Sequence, residues 1–451
     1  MSRTLLRAWD KTLGRRGDDR AVTQAADSLS VTFRELDARA AAWLATHVLD
    51  PHALAGRAVV FAVPNGIGWL EIFIGLLRGG AVAVPLDVAE PAAAQHQIAE
   101  TLRAGFWWDG ASLVALANAR RFRDPEVSLI KLTSGTTGQP RPLVFTAAQL
   151  LADTRQVTAT MGIGPRDLNY AMIPLGHSYG LGNLTGPLLA QGVPLVCGSS
   201  LLPHAIATDF ARWQPTVFPG VPAMWRALAA SDVALESLRL GISAGAPLLP
   251  EVARDFMARF GRRLHSFYGS SETGGIAYDP DGAATLAGGV GRTMRGVKLT
   301  VLRGQRLQVS SAAVFTDGNR RRGKTFGAWI MSDCVAMDAR GRVTLLGRRG
   351  RTVKIAGRRV NLSEVSARVQ RLPGVRDAWV GASTGADPVL GAVVATEQPT
   401  AELRAALHAD TAAWKIPKKW IVLPALPLTA RGKNDLRKLQ AMLFGQPFVV
   451  Q

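Results

Sequence analysis

The stretch from Ala58 to Leu86 leaves this chain the fewest choices. Ala58-Val59-Val60-Phe61-Ala62-Val63 is an unbroken apolar run of the kind buried on both faces of a sheet. Trp69 to Leu77 then reads as a helix, and Gly79-Gly80 leads into a second run, Ala81-Val82-Ala83-Val84-Pro85-Leu86. Strand, helix, strand calls for a parallel sheet with a right-handed crossover, which sets the class as α/β. The window is the most apolar of the chain, yet Pro64, Asn65, Glu71 and Arg78 interrupt it, so it is not read as a membrane span. Ahead of it, Thr32 followed by Glu35 forms a capping box, and Phe33, Leu36, Ala40, Trp43 and Leu44 carry the apolar spacing of an amphipathic helix. A chain of 451 residues exceeds one usual core and favours two or more domains. No internal repeat or long low-complexity segment interrupts it.

The charge is one-sided, with 53 Lys and Arg against 34 Asp and Glu, a net +19. Such a surface attracts nucleic acid, anionic membrane, or an acidic partner or substrate; arginines that merely solvate the surface are an equally good reading. Two cysteines, Cys197 and Cys334, give neither a disulfide framework nor a metal-ligand spacing, which fits a reducing compartment and makes the cytoplasm the expected location. The start, Met1-Ser2-Arg3-Thr4-Leu5-Leu6, lacks the apolar core of a signal peptide.

Between two apolar runs, Val127 to Leu132 and Leu143 to Phe145, lies Thr133-Ser134-Gly135-Thr136-Thr137-Gly138-Gln139-Pro140-Arg141. Glycines at 135 and 138 let backbone approach an anion, four hydroxyls supply donors, and Arg141 adds a permanent charge, so the loop is suited to phosphate. A Walker loop would end Gly-Lys-Ser/Thr and open into a helix, whereas here Gln139 follows Gly138, and Pro140 and Pro142 block a helix. The helix start is expected at Thr146, with Gln149 completing a capping box. Alone, the string is also compatible with a ligand-free surface loop.

The loop resembles the phosphate-binding signature of the adenylate-forming superfamily, which includes acyl-CoA synthetases, aryl-CoA ligases, nonribosomal peptide adenylation domains and firefly luciferase. Other segments resemble that family's motifs in the family's order. Ala171-Met172-Ile173-Pro174-Leu175-Gly176-His177-Ser178-Tyr179-Gly180 is similar to the segment beside the carboxylate pocket, which singles out His177. Gly180 to Gly186 holds no acidic residue, against an α-amino acid substrate. Gly241 to Leu248 resembles the adenine-side loop, with Gly245, Ala246 and Pro247 letting a flat base lie on backbone. Phe267-Tyr268-Gly269-Ser270-Ser271-Glu272-Thr273 resembles the Tyr-Gly-x-Thr/Ser-Glu motif. By that likeness Tyr268 packs on adenine, Gly269 and Ser270 border the nucleotide, Ser271 reaches the α-phosphate, and Glu272 with Ser134 holds magnesium. A carboxylate beside phosphates needs such a cation between them.

Gly288-Gly289-Val290-Gly291 resembles the entry to a β-rich subdomain. Ala328 to Asp333 is read as the end of a strand, followed by a hairpin turn at Asp338 to Gly341. There the resemblance makes Asp333 the acceptor for both ribose hydroxyls, with Ser332 in the place of the family's glycine, and sets Arg348 beside ribose and phosphate. From Gly347 to Val365 the chain resembles the family's hinge, with Gly350 where Asp or Lys is usual, Lys354 beyond it, and Gly357 where backbone meets the thiol arm of the acceptor. Pro427 to Lys433 resembles the C-terminal lysine motif, and Lys433 is the expected catalytic cation. Arg141 stands where the family prefers Lys, and Pro142 where it prefers Gly. The run from Pro91 to Asp124 is shorter than in most members.

The resemblance implies a large N-terminal domain, 1–349, of layered β-sheets and helices with a β-rich subdomain, then a small mobile α+β domain, 350–451. It implies an acid-thiol ligase that uses ATP and magnesium. A fatty or aryl acid would become an acyl-adenylate with release of pyrophosphate, and the acyl group would pass to coenzyme A or an acidic acyl carrier protein. Met172, Val221, Met224 and Trp225 are the apolar candidates for the acyl pocket. Use of the adenylate in ring closure or oxidation, or a silent sensor of nucleotide, are the alternatives within the family. A nucleic-acid or membrane binder would rest on the charge alone, so neither nucleic acid nor a transmembrane segment is expected.

Overall fold

The structure is a computed structural model that describes residues 4–48, 50–133, 141–316, 327–348, 352–355, 358–383, 388–408, 411, 413–429 and 433–445. Ala58–Phe61 and Val82–Pro85 are parallel neighbours, with Ala58 beside Val82 and Phe61 beside Pro85. The crossover between them is the helix Ile67–Arg78, buried along most of its length. Against it lies the helix Phe33–His47, whose Trp43 fills the space over Gly75. That second helix begins at Thr32, where the Glu35 amide donates to Thr32 Oγ1 and the Thr32 amide donates to Glu35 Oε2. Such a cap contributes about 1 kcal/mol.

Among the described residues these strands belong to a six-stranded sheet, ordered Leu113–Ala115, Phe106–Trp108, Ala58–Phe61, Val82–Pro85, Val127–Thr133 and Arg141–Thr146. A larger sheet of nine strands lies beside it. Its six consecutive strands Leu264–Ser270, Leu240–Ser243, Val217–Gly220, Asn169–Ala171, Leu195–Cys197 and Arg20–Gln24 are mutually parallel, and short antiparallel strands close both edges. Ligands of such sheets bind beyond the carboxyl ends of the parallel strands. Beyond those ends lie Met172 to His177, Val221, Ala244 to Pro247 and Ser271 to Glu272.

The β-rich part is an antiparallel sheet of Lys298–Val301, Arg306–Ser311, Gly327–Met337 and Val343–Arg348. The strand expected to end at Asp333 runs on to Met337. It survives through a register shift against its partner between Cys334 and Val335, an extra-residue kink that no local sequence pattern marks. The turn at Asp338 to Gly341 forms as expected, with Asp338 Oδ1 accepting the amides of Arg340 and Arg342. Beyond it come a hairpin, Thr352–Ile355 with Arg358–Asn361, and a sheet of Val375–Ala382, Leu390–Thr396 and Lys419–Leu423 flanked by three helices. Among the described residues, the hydrophobic clusters of this C-terminal part draw only on residues from Val353 onward, and the others only on residues up to Leu345. No helix among the described residues is long and apolar enough to cross a membrane.

Candidate active site

The hydroxyl- and glycine-rich loop joins two strands, as its prolines require. Thr133 and Arg141 are opposite one another in the antiparallel pair, and Thr133 Oγ1 donates to the Arg141 carbonyl at 3.4 Å. Ser134, Gly135, Thr136, Thr137 and Gly138 lie outside the described residues. Arg141 is set over two aromatic rings, its guanidinium carbon 5.3 Å from the centroid of Trp329 and 6.0 Å from that of Phe315. The helix Ala147–Met161 starts at Thr146 with the expected capping box, and the Gln149 side chain that closes the box also donates to the Val314 carbonyl at 2.8 Å.

The turn Ser271 to Thr273 lies between the antiparallel strands Leu264–Ser270 and Gly274–Tyr278. Ser270 is committed to the turn: its Oγ accepts the Glu272 amide at 3.2 Å and lies 3.1 Å from Thr273 Oγ1, which itself donates to the Gly274 carbonyl. Ser271 is placed differently, since its Oγ accepts from Ser178 Oγ at 3.1 Å. A hydroxyl that accepts there keeps its own proton for another acceptor. Gly274 has φ +70°, and a Cβ there would come within 2.2 Å of Asp153 Oδ1, so only glycine fits.

Tyr268 Oη donates to Asp333 Oδ2 at 2.8 Å, with both residues buried. The predicted base-stacking ring and the predicted ribose carboxylate are therefore adjacent, although 65 residues separate them. Asp333 is opposite Arg348 across the β-rich sheet. Gly245 has φ +88°, a left-handed turn that presents Ala246 and Pro247 to solvent.

His177 caps a short helical turn, Ser178–Gly180, and its Nδ1 accepts the Tyr179 amide at 3.5 Å, which assigns the proton of the neutral ring to Nε2. The helix continues through a π-turn at Leu181–Thr185, an irregularity common at functional sites. Two residues passed over in the sequence hold this segment. Asn65 Nδ2 donates to the Ile173 carbonyl at 2.8 Å and its Oδ1 accepts the Leu175 amide at 3.0 Å, so one side-chain amide clamps the backbone on either side of Pro174. Tyr179 Oη donates to the Ile242 carbonyl at 3.1 Å, tying the segment to the strand before Gly245; burial holds its hydroxyl well above the usual tyrosine range. Pro64-Asn65-Gly66 after a buried strand was the available clue, but nothing local names its partners.

Of the four apolar pocket candidates, Trp225 is core: it is fully buried and its Nε1 donates to the Ile242 carbonyl at 3.2 Å, beneath Gly220 and Gly241. Met172, Val221 and Met224 are partly buried at the edges of the clusters. A cavity of about 310 Å³ lies beside this region, lined by Gln24, Asn65, Gly66 and Cys197 among others. Gly350 and Gly357 lie outside the described residues, and only the backbone of Lys354 is described, paired with Arg359. Lys433 is exposed, and its carbonyl accepts from the Thr429 amide at 2.7 Å and from Thr429 Oγ1 at 3.1 Å.

The Ser178–Ser271 hydroxyl pair and the buried Tyr268–Asp333 pair set hydrogen-bonding groups near the carboxyl ends of the parallel strands. Residues 116–312 match the AMP-binding enzyme family, and proteins named as aryl-CoA ligases or synthases are among those the chain is similar to. It is 29% identical over 352 residues to the 2-hydroxy-7-methoxy-5-methyl-1-naphthoate–CoA ligase of Streptomyces carzinostaticus, a match covering 71% of this chain and 63% of that one. It is 27% identical over 533 residues to a salicylyl-CoA synthase / salicylate adenylyltransferase of a Streptomyces species, covering 98% and 93%. The fold matches that of ATP-bound MatB from Rhodopseudomonas palustris with a TM-score of 0.82 at 22% identity, over 96% of this chain and 98% of that one. The family match includes the loop, His177, Gly245 and Glu272, whereas Asp333, Arg348 and Lys433 fall beyond it.

Proposed function

We propose that the chain is an AMP-forming acid-thiol ligase with ATP as its nucleotide. The observation that carries this reading is the meeting of the Tyr268–Asp333 pair and the Ser178–Ser271 pair beyond the ends of one parallel sheet. In the first step a carboxylate oxygen bonds to the α-phosphorus of ATP while the bond to pyrophosphate breaks. In the second, a thiol sulfur bonds to the acyl carbon and AMP leaves. Asp333 takes the ribose hydroxyls, Tyr268 the adenine, Ser271 and the Thr133–Arg141 loop the phosphates, and His177 borders the carboxylate. Lys433 neutralises the charge that builds as the carboxylate attacks.

Magnesium fits the donors present. Among the described residues no group of three or more His, Cys, Asp or Glu side chains is placed to hold a metal, while Glu272 stands beside hydroxyls. Magnesium is commonly bound by one or two carboxylates plus substrate phosphates, and bound there it would offset phosphate charge. The division near Gly350, with 1–349 as the large domain and 350–451 as the small one, belongs to the same proposal, and the separate hydrophobic clusters support it. So does the choice of acid. The naphthoate and salicylate relatives are named for aryl acids, which favours an aryl acid over a fatty one here. The acceptor is coenzyme A or an acidic acyl carrier protein, for either of which the +19 charge is suited. The cytoplasm is the proposed compartment, in keeping with two free cysteines.

The test is exchange of labelled pyrophosphate into ATP across a panel of aryl, fatty and amino acids, with Lys433→Ala as the control. Exchange with an aryl acid, lost in the control, is the expected result. No exchange with any acid, alongside retained ATP binding, would instead favour a nucleotide sensor.

A further inference from the structure

Ser178 Oγ donates to Ser271 Oγ at 3.1 Å across 93 residues of chain, and both side chains are half-buried. A second contact joins the same two segments. The ring of Tyr179 lies 5.7 Å from that of Phe267, on the strand that ends just before Ser271, and both rings are buried. The segment that carries Ser178 is also fixed from its own side. Thr185 Oγ1 donates to the Leu175 carbonyl at 3.1 Å, and Asn183 Nδ2 donates to the Tyr179 carbonyl at 3.3 Å. Gly180 packs so closely on the Pro174 carbonyl that no Cβ would fit between them. The place of the Ser178 hydroxyl is thus set by packing that owes nothing to Ser271.

The hydroxyls around the turn differ in what they have left to give. Thr273 Oγ1 gives its proton to the Gly274 carbonyl at 3.1 Å, which leaves Ser270 as the donor in the 3.1 Å contact between the two side chains. Both of those protons stay inside the protein. Ser271 Oγ instead accepts from Ser178, and a hydroxyl that accepts there has its own proton turned toward an acceptor outside the pair.

We infer that Ser178 is a positioning residue for Ser271, its donated hydrogen bond orienting the Ser271 hydroxyl to give its proton to the α-phosphate of the nucleotide. This role rests on the nucleotide reading given above. It makes the turn that carries His177 a support for phosphate binding as well as a border of the carboxylate.

AMP and adenosine differ only in the 5′-phosphate, so the two ligands isolate this role. In the full chain, Ser178→Ala is expected to raise the AMP dissociation constant about fivefold, the worth of one hydrogen bond, and the adenosine constant by less than about twofold. Ser271→Ala is expected to weaken AMP at least as much. Adding Ser178→Ala to it should then change the AMP constant by less than about twofold, because no hydroxyl remains to orient. Equal losses for AMP and adenosine in Ser178→Ala would mark a merely structural serine and overturn the inference. Additive losses in the double variant, or unchanged AMP affinity in either single variant, would overturn it too. Ser178 opens a helical turn, where alanine is well tolerated, so the variant is expected to fold. Absence of both AMP and ATP binding by the unsubstituted chain would overturn the nucleotide reading itself, a separate failure that takes this role with it.

Discussion

The Tyr268 hydroxyl gives its proton to Asp333 Oδ2 at 2.8 Å, inside the protein. A buried hydrogen bond to a charged acceptor contributes about 1.5–3 kcal/mol, and here it fixes the carboxylate assigned to ribose. Tyr268→Phe keeps the ring and loses the bond. Half-saturating ATP is expected to rise about tenfold in Tyr268→Phe, as roughly 1.4 kcal/mol of orientation is lost, and further in Asp333→Ala. Unchanged ATP dependence in Tyr268→Phe would count against Asp333 as the ribose acceptor.

The Asn65 clamp gives a prediction for the acid side. Asn65→Ala removes two hydrogen bonds to the segment that carries His177, a loss of about 2 kcal/mol in all. Chemical denaturation should show that loss, and the half-saturating concentration of acid in pyrophosphate exchange should rise more than that of ATP. Asn65→Asp keeps an acceptor for Leu175 and sets an oxygen against the Ile173 carbonyl, so it is expected to rescue little.

Gly274→Ala should be among the most damaging single-methyl additions in the chain. It combines a φ of +70° with an approach of 2.2 Å to Asp153. A melting temperature lowered by several degrees is expected, whereas Gly341→Ala, at φ +71° but with open space around it, should cost only about 1 kcal/mol of backbone strain. Similar losses in both would show that the Asp153 contact adds nothing.

Cys197 is buried, and burial pushes its thiol up to about 12. A raised acid favours the folded state below the unfolded value, so its contribution is complete below about pH 9 and is lost as pH rises from there toward 12. Cys197→Ala should therefore flatten the fall in stability above pH 9. In the native protein a thiol reagent should modify the half-exposed Cys334 and spare Cys197, with both reacting once the chain is unfolded.

Local chemistry was readable where its causes are local. The prolines at 140 and 142 and the Thr146–Gln149 pair lie within ten residues of one another, and the two flanking strands and the capped helix are present. The crossover from Ala58 to Pro85 was readable because apolar runs and paired glycines carry it. Longer reach defeated the reading. Lys131 passed as a member of an apolar run, yet it is buried with its Nζ 4.3 Å from the centroid of the Phe145 ring, a neighbour on the next strand. Ser178 meets Ser271 across 93 residues and Asn65 meets Leu175 across 110, and a window of neighbours holds neither pairing. Trp225 lies on a segment that resembles a pocket wall, but the small Gly220 and Gly241 leave room that draws it inward.

The placing of Arg20–Gln24 sets the timing of synthesis. Val22 has Leu195 as its parallel neighbour, so the early strand cannot find its place until the ribosome has made the latter. At roughly 5–20 residues per second that wait is on the order of 10–30 s. The six-stranded sheet, complete at Thr146, can form meanwhile and give the nascent chain something to shelter against.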